Sequence, residues 1–318
     1  MAKKSGIIVL LMLQFYSFLF YIPREQYSSP AIKASSNIVS ASSNMGASYF
    51  EGMSYDIGRL YGLPLSSQQK SELLAAQKNL NSDKNTFCLI LMYHNFYSNG
   101  KRKGGYYIRL DDFENDLKTL KKYGFESISI EDLYDFMKYN KKIPEHSVIL
   151  TFDDGFKSFM DAYPIIEKYG YGGVVSLITG YVGSVWELSL AQIKQLSKDG
   201  IEFASHTSKI HNDFKKYIDE KKFAIIATDI KDSRKFFNDV LQSKTLAFTY
   251  PMGVGSSVKE LRDILIENGF YVGFDIWKRR VNKFGDDPLS AVRVDISECT
   301  GLNNQKEFEE LIQSLVRI

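Results

Sequence analysis

Two adjacent carboxylates, Asp153 and Asp154, and three histidines, His94, His206 and His211, are the side chains of this 318-residue chain whose types and spacing suit metal-assisted hydrolysis. The acids close the apolar run Val148-Ile149-Leu150-Thr151-Phe152 and precede Gly155, which reads as a buried strand delivering both to the point where the chain turns. Asp-Gly is a common turn former, so the stretch by itself also reads as a plain turn after a core strand. His206 and His211 are five residues apart, which puts them on opposite sides of a strand or about 140° apart on a helix. They can chelate only from a loop, and the small and polar residues of 205–212 compose one. Two imidazoles and one carboxylate leave the fourth position of a tetrahedral ion open for water. On spacing alone, two surface histidines in a polar loop stand level with that reading.

The elements that must position these residues follow from periodicity. After Asn85, apolar strand-like runs at 87–93, 127–130, 148–152, 174–178, 201–204, 246–250, 270–276 and 292–296 alternate with amphipathic helices. Helix starts are expected at the capping signatures Asp111-x-x-Glu114, Ser189-x-x-Gln192 and Ser257-x-x-Glu260. Apolar faces run through Phe113, Leu117 and Leu120, through Ile218, Ile226, Ile230 and Phe237 in a mostly helical 213–241, and through Phe308, Leu311, Ile312 and Leu315. Repeated β-α units imply a parallel sheet, and about seven of them favour an α/β fold closed, or nearly closed, into a barrel. His94, the acid pair and His206 each follow the end of a strand. In a parallel barrel those ends share one face.

Composition narrows the partners. A net charge of +2, from 40 basic and 38 acidic side chains, carries no polyelectrolyte signature and argues against nucleic acid. Cys88 and Cys299 make no disulfide framework, and whether they pair is open. Lys3 and Lys4 ahead of the apolar runs 7–13 and 15–22 have the layout of an export signal or retained anchor, so residues 1–22 are expected to engage the membrane and the rest to be exported. Residues 23–48 read as a flexible stem, residues 49–86 as a helical extension opened by Ser66-x-x-Gln69, and residues 87–318 as the main domain. His146, at the start of its strand, reads as structural; Trp186 and Trp277 read as core or rim packing, with a sugar groove as the functional alternative.

Thr151-Phe152-Asp153-Asp154-Gly155, taken with Ser205-His206-Thr207 and His211, resembles the polysaccharide deacetylases of carbohydrate esterase family 4, the NodB-homology domain. The five-residue histidine spacing, Met92-Tyr93-His94 ahead of the acidic motif, Ile143-Pro144 leading into it, Tyr250-Pro251-Met252-Gly253 in place of Y-P-Y-G, and Asp287-Pro288 with Arg293 resemble its branch that deacetylates poly-β-1,6-N-acetylglucosamine. The resemblance spans residues 87–297 and implies a distorted (β/α) barrel, circularly permuted relative to other members. It implies that Asp154, His206 and His211 hold one divalent metal ion, zinc first and cobalt, nickel or iron next. Asp153 would be the base, His94 the acid that protonates the leaving amine, and Arg293 a group orienting Asp153. The turn Tyr250, Pro251 and Met252 would meet substrate and oxyanion through backbone N–H groups. The implied activity is N-deacetylation of a cell-surface N-acetylglucosamine polysaccharide, foremost the β-1,6-linked polymer of biofilms. Peptidoglycan- or chitin-type deacetylation, O-acetyl ester hydrolysis, and a catalytically silent glycan-binding module are the alternatives.

Overall fold

A computed structural model describes residues 82–98, 106–276, 281–296 and 305–316. The expectations for residues 1–22, 23–48 and the helix opened by Ser66, and those for Trp277 and Cys299, lie outside the described residues. Among the described residues no helix is long and apolar enough to cross a membrane.

Seven parallel strands close into a barrel. They are β1 (Phe87–Tyr93), β5 (His146–Phe152), β6 (Val174–Leu177), β7 (Glu202–Ser205), β8 (Ala247–Thr249), β9 (Val272–Ile276) and β10 (Ala291–Asp295). Their order round the sheet is β1-β10-β9-β8-β7-β6-β5, and the pairing of β1 with β5 shuts it. That seam runs the full length of both strands, from Phe87 opposite His146 to Tyr93 opposite Phe152. On the other edge of β5 the two-residue β4 (Glu126–Ser127) pairs with Ser147 and Val148, and β6 pairs only with Thr151 and Phe152. One strand edge shared between two short partners is where the barrel is distorted. Two further short strands, β2 (Asn95–Tyr97) and β3 (Tyr107–Arg109), pair beside it as a separate parallel ribbon. The α/β barrel of about seven units expected from the sequence is the architecture observed.

Strand alternation sorts the apolar residues into two layers. Cys88, Ile90, Ile149, Val174, Ala204, Ala247, Phe274 and Ala291 form one cluster, with Ile130, Leu133 and Phe136 of the helix Ile130–Tyr139 packed on it. Leu89, Leu91, Val148, Leu150, Val175 and Phe203 point the other way, into a cluster with Phe113, Leu117, Phe159, Ile193 and Leu311 of the surrounding helices. Each such fully buried Leu or Phe contributes roughly 1.5–3 kcal/mol, which is why the strands read as continuous apolar runs.

Local signals held unevenly. The capping box at Ser189 and Gln192 forms, with Ser189 N donating to Gln192 Oε1 at 2.9 Å and Gln192 N to Ser189 Oγ at 3.3 Å. The expected boxes at Asp111-x-x-Glu114 and Ser257-x-x-Glu260 do not. The helix Leu110–Lys122 starts one residue before Asp111, and the helix Lys259–Glu267 starts after Val258, neither with a side-chain cap. Acids in a first turn instead face the positive end of the helix dipole. A box at Ser129 and Asp132 that the sequence reading passed over starts the helix Ile130–Tyr139, and so shortens the strand expected at 127–130 to Glu126–Ser127. The helical stretch expected at 213–241 breaks at Lys221, which takes a left-handed φ of 53°, into Phe214–Asp219 and Phe223–Lys235.

One buried acid sits among the helices. Asp116 accepts from Tyr93 Oη at 3.2 Å and from Gln305 Nε2 at 2.7 Å. Burial, only partly offset by these two donors, pushes its carboxyl up to about 7. The folded chain therefore holds this proton where the unfolded chain has lost it, a contribution complete at low pH and lost as pH rises through 7. Between pH 5 and 8 the group is expected to withdraw on the order of 2–3 kcal/mol. Denaturant unfolding of wild type and Asp116→Asn at both pH values checks this: the variant should show the flatter profile.

Candidate active site

Asp153 is the first residue past β5, and its N–H donates to Tyr93 O at 2.9 Å, fastening it to the end of β1. Its carboxylate meets Arg293 of β10 in a two-pronged pair, Nη1 to Oδ1 at 2.7 Å and Nη2 to Oδ2 at 2.9 Å. Arg293 is fully buried, and it is held in turn by Thr151 Oγ1 at 3.1 Å and Asp275 O at 3.3 Å. Burial acts to raise the Asp153 pKa, but the Arg293 guanidinium, with His206 and His94 nearby, outweighs it and keeps the carboxyl well below the usual carboxylate range. Asp153 is thus a fixed, ionised carboxylate.

The next residue faces differently because its backbone does. Asp154 takes a left-handed φ of 69°, followed by Gly155 at 75°, where a Cβ would meet Leu177 Cδ2 at 2.9 Å. The turn carries the Asp154 carboxylate to the two loop histidines, Oδ1 lying 3.5 Å from His206 Nε2 and 3.5 Å from His211 Nε2. The two Nε2 atoms are 3.1 Å apart. Four-coordinate bonds of about 2.0–2.1 Å require ligand atoms roughly 3.3–3.4 Å apart, so the three atoms are spaced as three corners around one ion.

Donor chemistry fits as well. His206 Nδ1 lies 2.8 Å from Thr249 O, which places the ring proton on Nδ1 and the lone pair on Nε2. Burial lowers the His206 pKa to about 3 and lowers that of His211, so both rings are neutral. Burial first, then the charges of Asp153 and Glu187, push Asp154 up to about 7. Two lone pairs and an acid crowded by negative neighbours converge on one point. A cation there satisfies all three.

His94, just past β1, places Nε2 4.0 Å from Asp153 Oδ2, and its ring lies against Tyr106 with centroids 4.5 Å apart. Burial lowers its pKa, opposed by the charges of Asp153 and Asp295. Its buried Nδ1 has no partner among the described residues.

Residues 140–273, which include both acids and both loop histidines, match the family model described as polysaccharide deacetylase. That stretch is therefore similar to a polysaccharide deacetylase domain. A Staphylococcus aureus protein named poly-beta-1,6-N-acetyl-D-glucosamine N-deacetylase is 28% identical over 204 residues, covering 60% of this chain and 69% of that one. The Streptococcus pyogenes deacetylase PplD, solved in complex with acetate, superposes with a TM-score of 0.62 at 25% identity over 71% of this chain and 98% of that one. IcaB from Ammonifex degensii shares the fold, with a TM-score of 0.60 at 24% identity over 72% and 97% of the two chains.

The barrel also contains a residue that sequence reasoning missed. Asp229, on the helix Phe223–Lys235, accepts from three consecutive backbone N–H groups between the two histidines: Ser208 at 2.7 Å, Lys209 at 2.6 Å and Ile210 at 3.2 Å. One turn further on, Ser233 Oγ meets Ser205 Oγ at 2.7 Å, and on the other side Thr179 N donates to Thr207 O at 3.1 Å. Thr207 is held at a φ of 74°, a costly conformation for a β-branched residue, so the loop needs this clamp. The one available signal was an acid on a helix face otherwise marked apolar by Ile226 and Ile230. Asp229→Ala is expected to weaken divalent-metal affinity about 10–100-fold, the usual cost of losing support behind a ligand. Competition against a chelator measures it.

The other expected site residues divide. Thr249, whose carbonyl orients His206, runs directly into Tyr250-Pro251-Met252. The Tyr250 ring, however, is buried in the core with its hydroxyl donating to Leu289 O at 2.9 Å, and its N–H is committed to Phe274 O. That corrects the expectation for Tyr250 as a substrate contact: the strand end pulls its side chain inward. Pro251 is buried, while Met252 is exposed at a left-handed φ of 56°. His146 packs between the Phe87 and Phe125 rings, with both centroid distances 5.5 Å.

Proposed function

We propose that this chain removes N-acetyl groups from a polymer of β-1,6-linked N-acetylglucosamine with one divalent metal ion, zinc in the first instance, held by Asp154, His206 and His211. The observation that carries the reading is the split of two adjacent acids. Asp153 is locked to Arg293, and Asp154 is turned onto two imidazole lone pairs at 3.5 Å. The similarity to the S. aureus protein supports the choice of polymer. A bound divalent ion supplies Lewis acidity toward the acetamide carbonyl and lowers the pKa of water.

This chain's own residues move the protons. Asp153, ionised and fixed, accepts the proton of the attacking water. His94, across a 4.0 Å gap from Asp153, is assigned the protonation of the leaving nitrogen, without which an amine departs poorly. Arg293 keeps the Asp153 carboxylate ionised and aimed, and a backbone N–H of the turn at Met252 is the protein donor closest in sequence to the His206 anchor for the developing oxyanion. The apolar runs within residues 7–22 support a place outside the cytoplasm, tethered to the membrane.

Acetate release from defined oligomers by the full chain, with and without added zinc, tests this. Metal-dependent release from β-1,6 oligomers is the expected result. Release confined to β-1,4 oligomers would move the assignment to a peptidoglycan or chitin type, and protein that binds no metal and releases no acetate would leave a glycan-binding module.

A further inference from the structure

Trp186 is a large apolar side chain that the core leaves out. It is 76% exposed, next to Val185 at 77%, on the loop between β6 and the helix Leu190–Lys198. Exposed loop tips are usually mobile, but this one is tied down. Lys157 N donates to Trp186 O at 2.7 Å, Leu188 N donates to Gly155 O at 2.9 Å, and Phe156 and Glu187 form an antiparallel bridge. Within the loop, Gly183 N donates to Leu188 O at 2.9 Å. The anchors are the residues immediately after Asp153 and Asp154. The backbone that carries the indole is therefore fixed beside the acid pair on the β6 side, while the Tyr106 ring lies tilted against His94 on the β1 side.

We propose that Trp186 is a stacking platform for a sugar ring of the polymer flanking the residue being deacetylated, a subsite that rests on the glycan reading above. The chemistry favours a pyranose. Its C–H face is apolar while its edges carry hydroxyls, so it gains from a flat π surface standing in water. A loop fixed before binding loses little entropy when the ring docks. A protein partner needs about 800 Å² on each side, and a two-residue apolar tip presents far less. Because the contact is with a unit that does not react, it acts on binding and leaves the chemical step alone.

Trp186→Ala is expected to raise KM for a β-1,6 N-acetylglucosamine pentamer roughly tenfold with kcat unchanged, and Trp186→Tyr to restore most of it. The exposed position makes both variants safe for folding. The chain has two tryptophans, so emission present in wild type and absent from Trp186→Tyr isolates the indole at 186. That difference signal should change when the pentamer is titrated into the full chain. Unchanged kinetics in Trp186→Ala, or a difference signal indifferent to the pentamer, overturns the platform. A signal that moves with anionic phospholipid vesicles and not with the pentamer overturns it in favour of membrane contact. Wild type that releases no acetate while the signal still responds to the pentamer separates the two ideas, leaving the subsite and removing the reaction.

Discussion

Asp153→Asn is expected to reduce acetate release by roughly 10²–10⁴-fold while the protein keeps its metal. The two parts of this expectation come from the geometry. The atoms grouped so that they could hold an ion belong to Asp154, His206 and His211, so an amide at 153 leaves that set intact. Asparagine cannot take a proton from water at any working pH, and its NH2 faces one prong of Arg293 where a carboxylate oxygen stood 2.7 or 2.9 Å away. Activity measured beside metal content by elemental analysis separates the outcomes. Loss of both together would mean that the two acids share the ion and that the division of labour drawn above is wrong. Retention of activity would place the base elsewhere.

Arg293→Met is expected to be the most damaging single change to stability. Removing one partner of a buried ion pair strands the other, at about 3–5 kcal/mol, and here the stranded group is Asp153, only 3% exposed. With the guanidinium gone, burial dominates and the Asp153 pKa rises, so the base is also lost to protonation. The double variant Arg293→Met, Asp153→Asn should recover part of the stability and none of the activity. Denaturant unfolding of all four proteins gives the coupling. Additive effects of the two changes would show that the pair contributes no specific interaction.

Much of the barrel was legible because buried parallel strands must be apolar on both faces and the helices between them on one. The run 87–93 reads as a strand from its composition alone and is β1 residue for residue. The helix caps were less legible. Asp111 and Glu114 have the right types at the right spacing, yet β3 feeds the helix from Arg109 and sets its start earlier. At Ser129 a short strand and a capped helix meet within a few residues, and an apolar run does not say where one gives way to the other.

What the sequence determined by itself was the list of groups and their face: the two acids, His94 and His206 each just past a strand of a parallel barrel, with His211 in the loop after His206, therefore gathered at one rim. Type and spacing could not say which acid does what. Their different surroundings come from a backbone turn at Asp154 and from Arg293, 140 residues away in sequence and brought opposite Asp153 only when β1 closes the sheet between β5 and β10. The same holds for Asp229, whose carboxylate gathers three N–H groups from a loop about 20 residues earlier. Local pattern fixes which face a residue takes, because strand and helix periods are local. Partners across a barrel are fixed by closure, which is a property of the whole sheet.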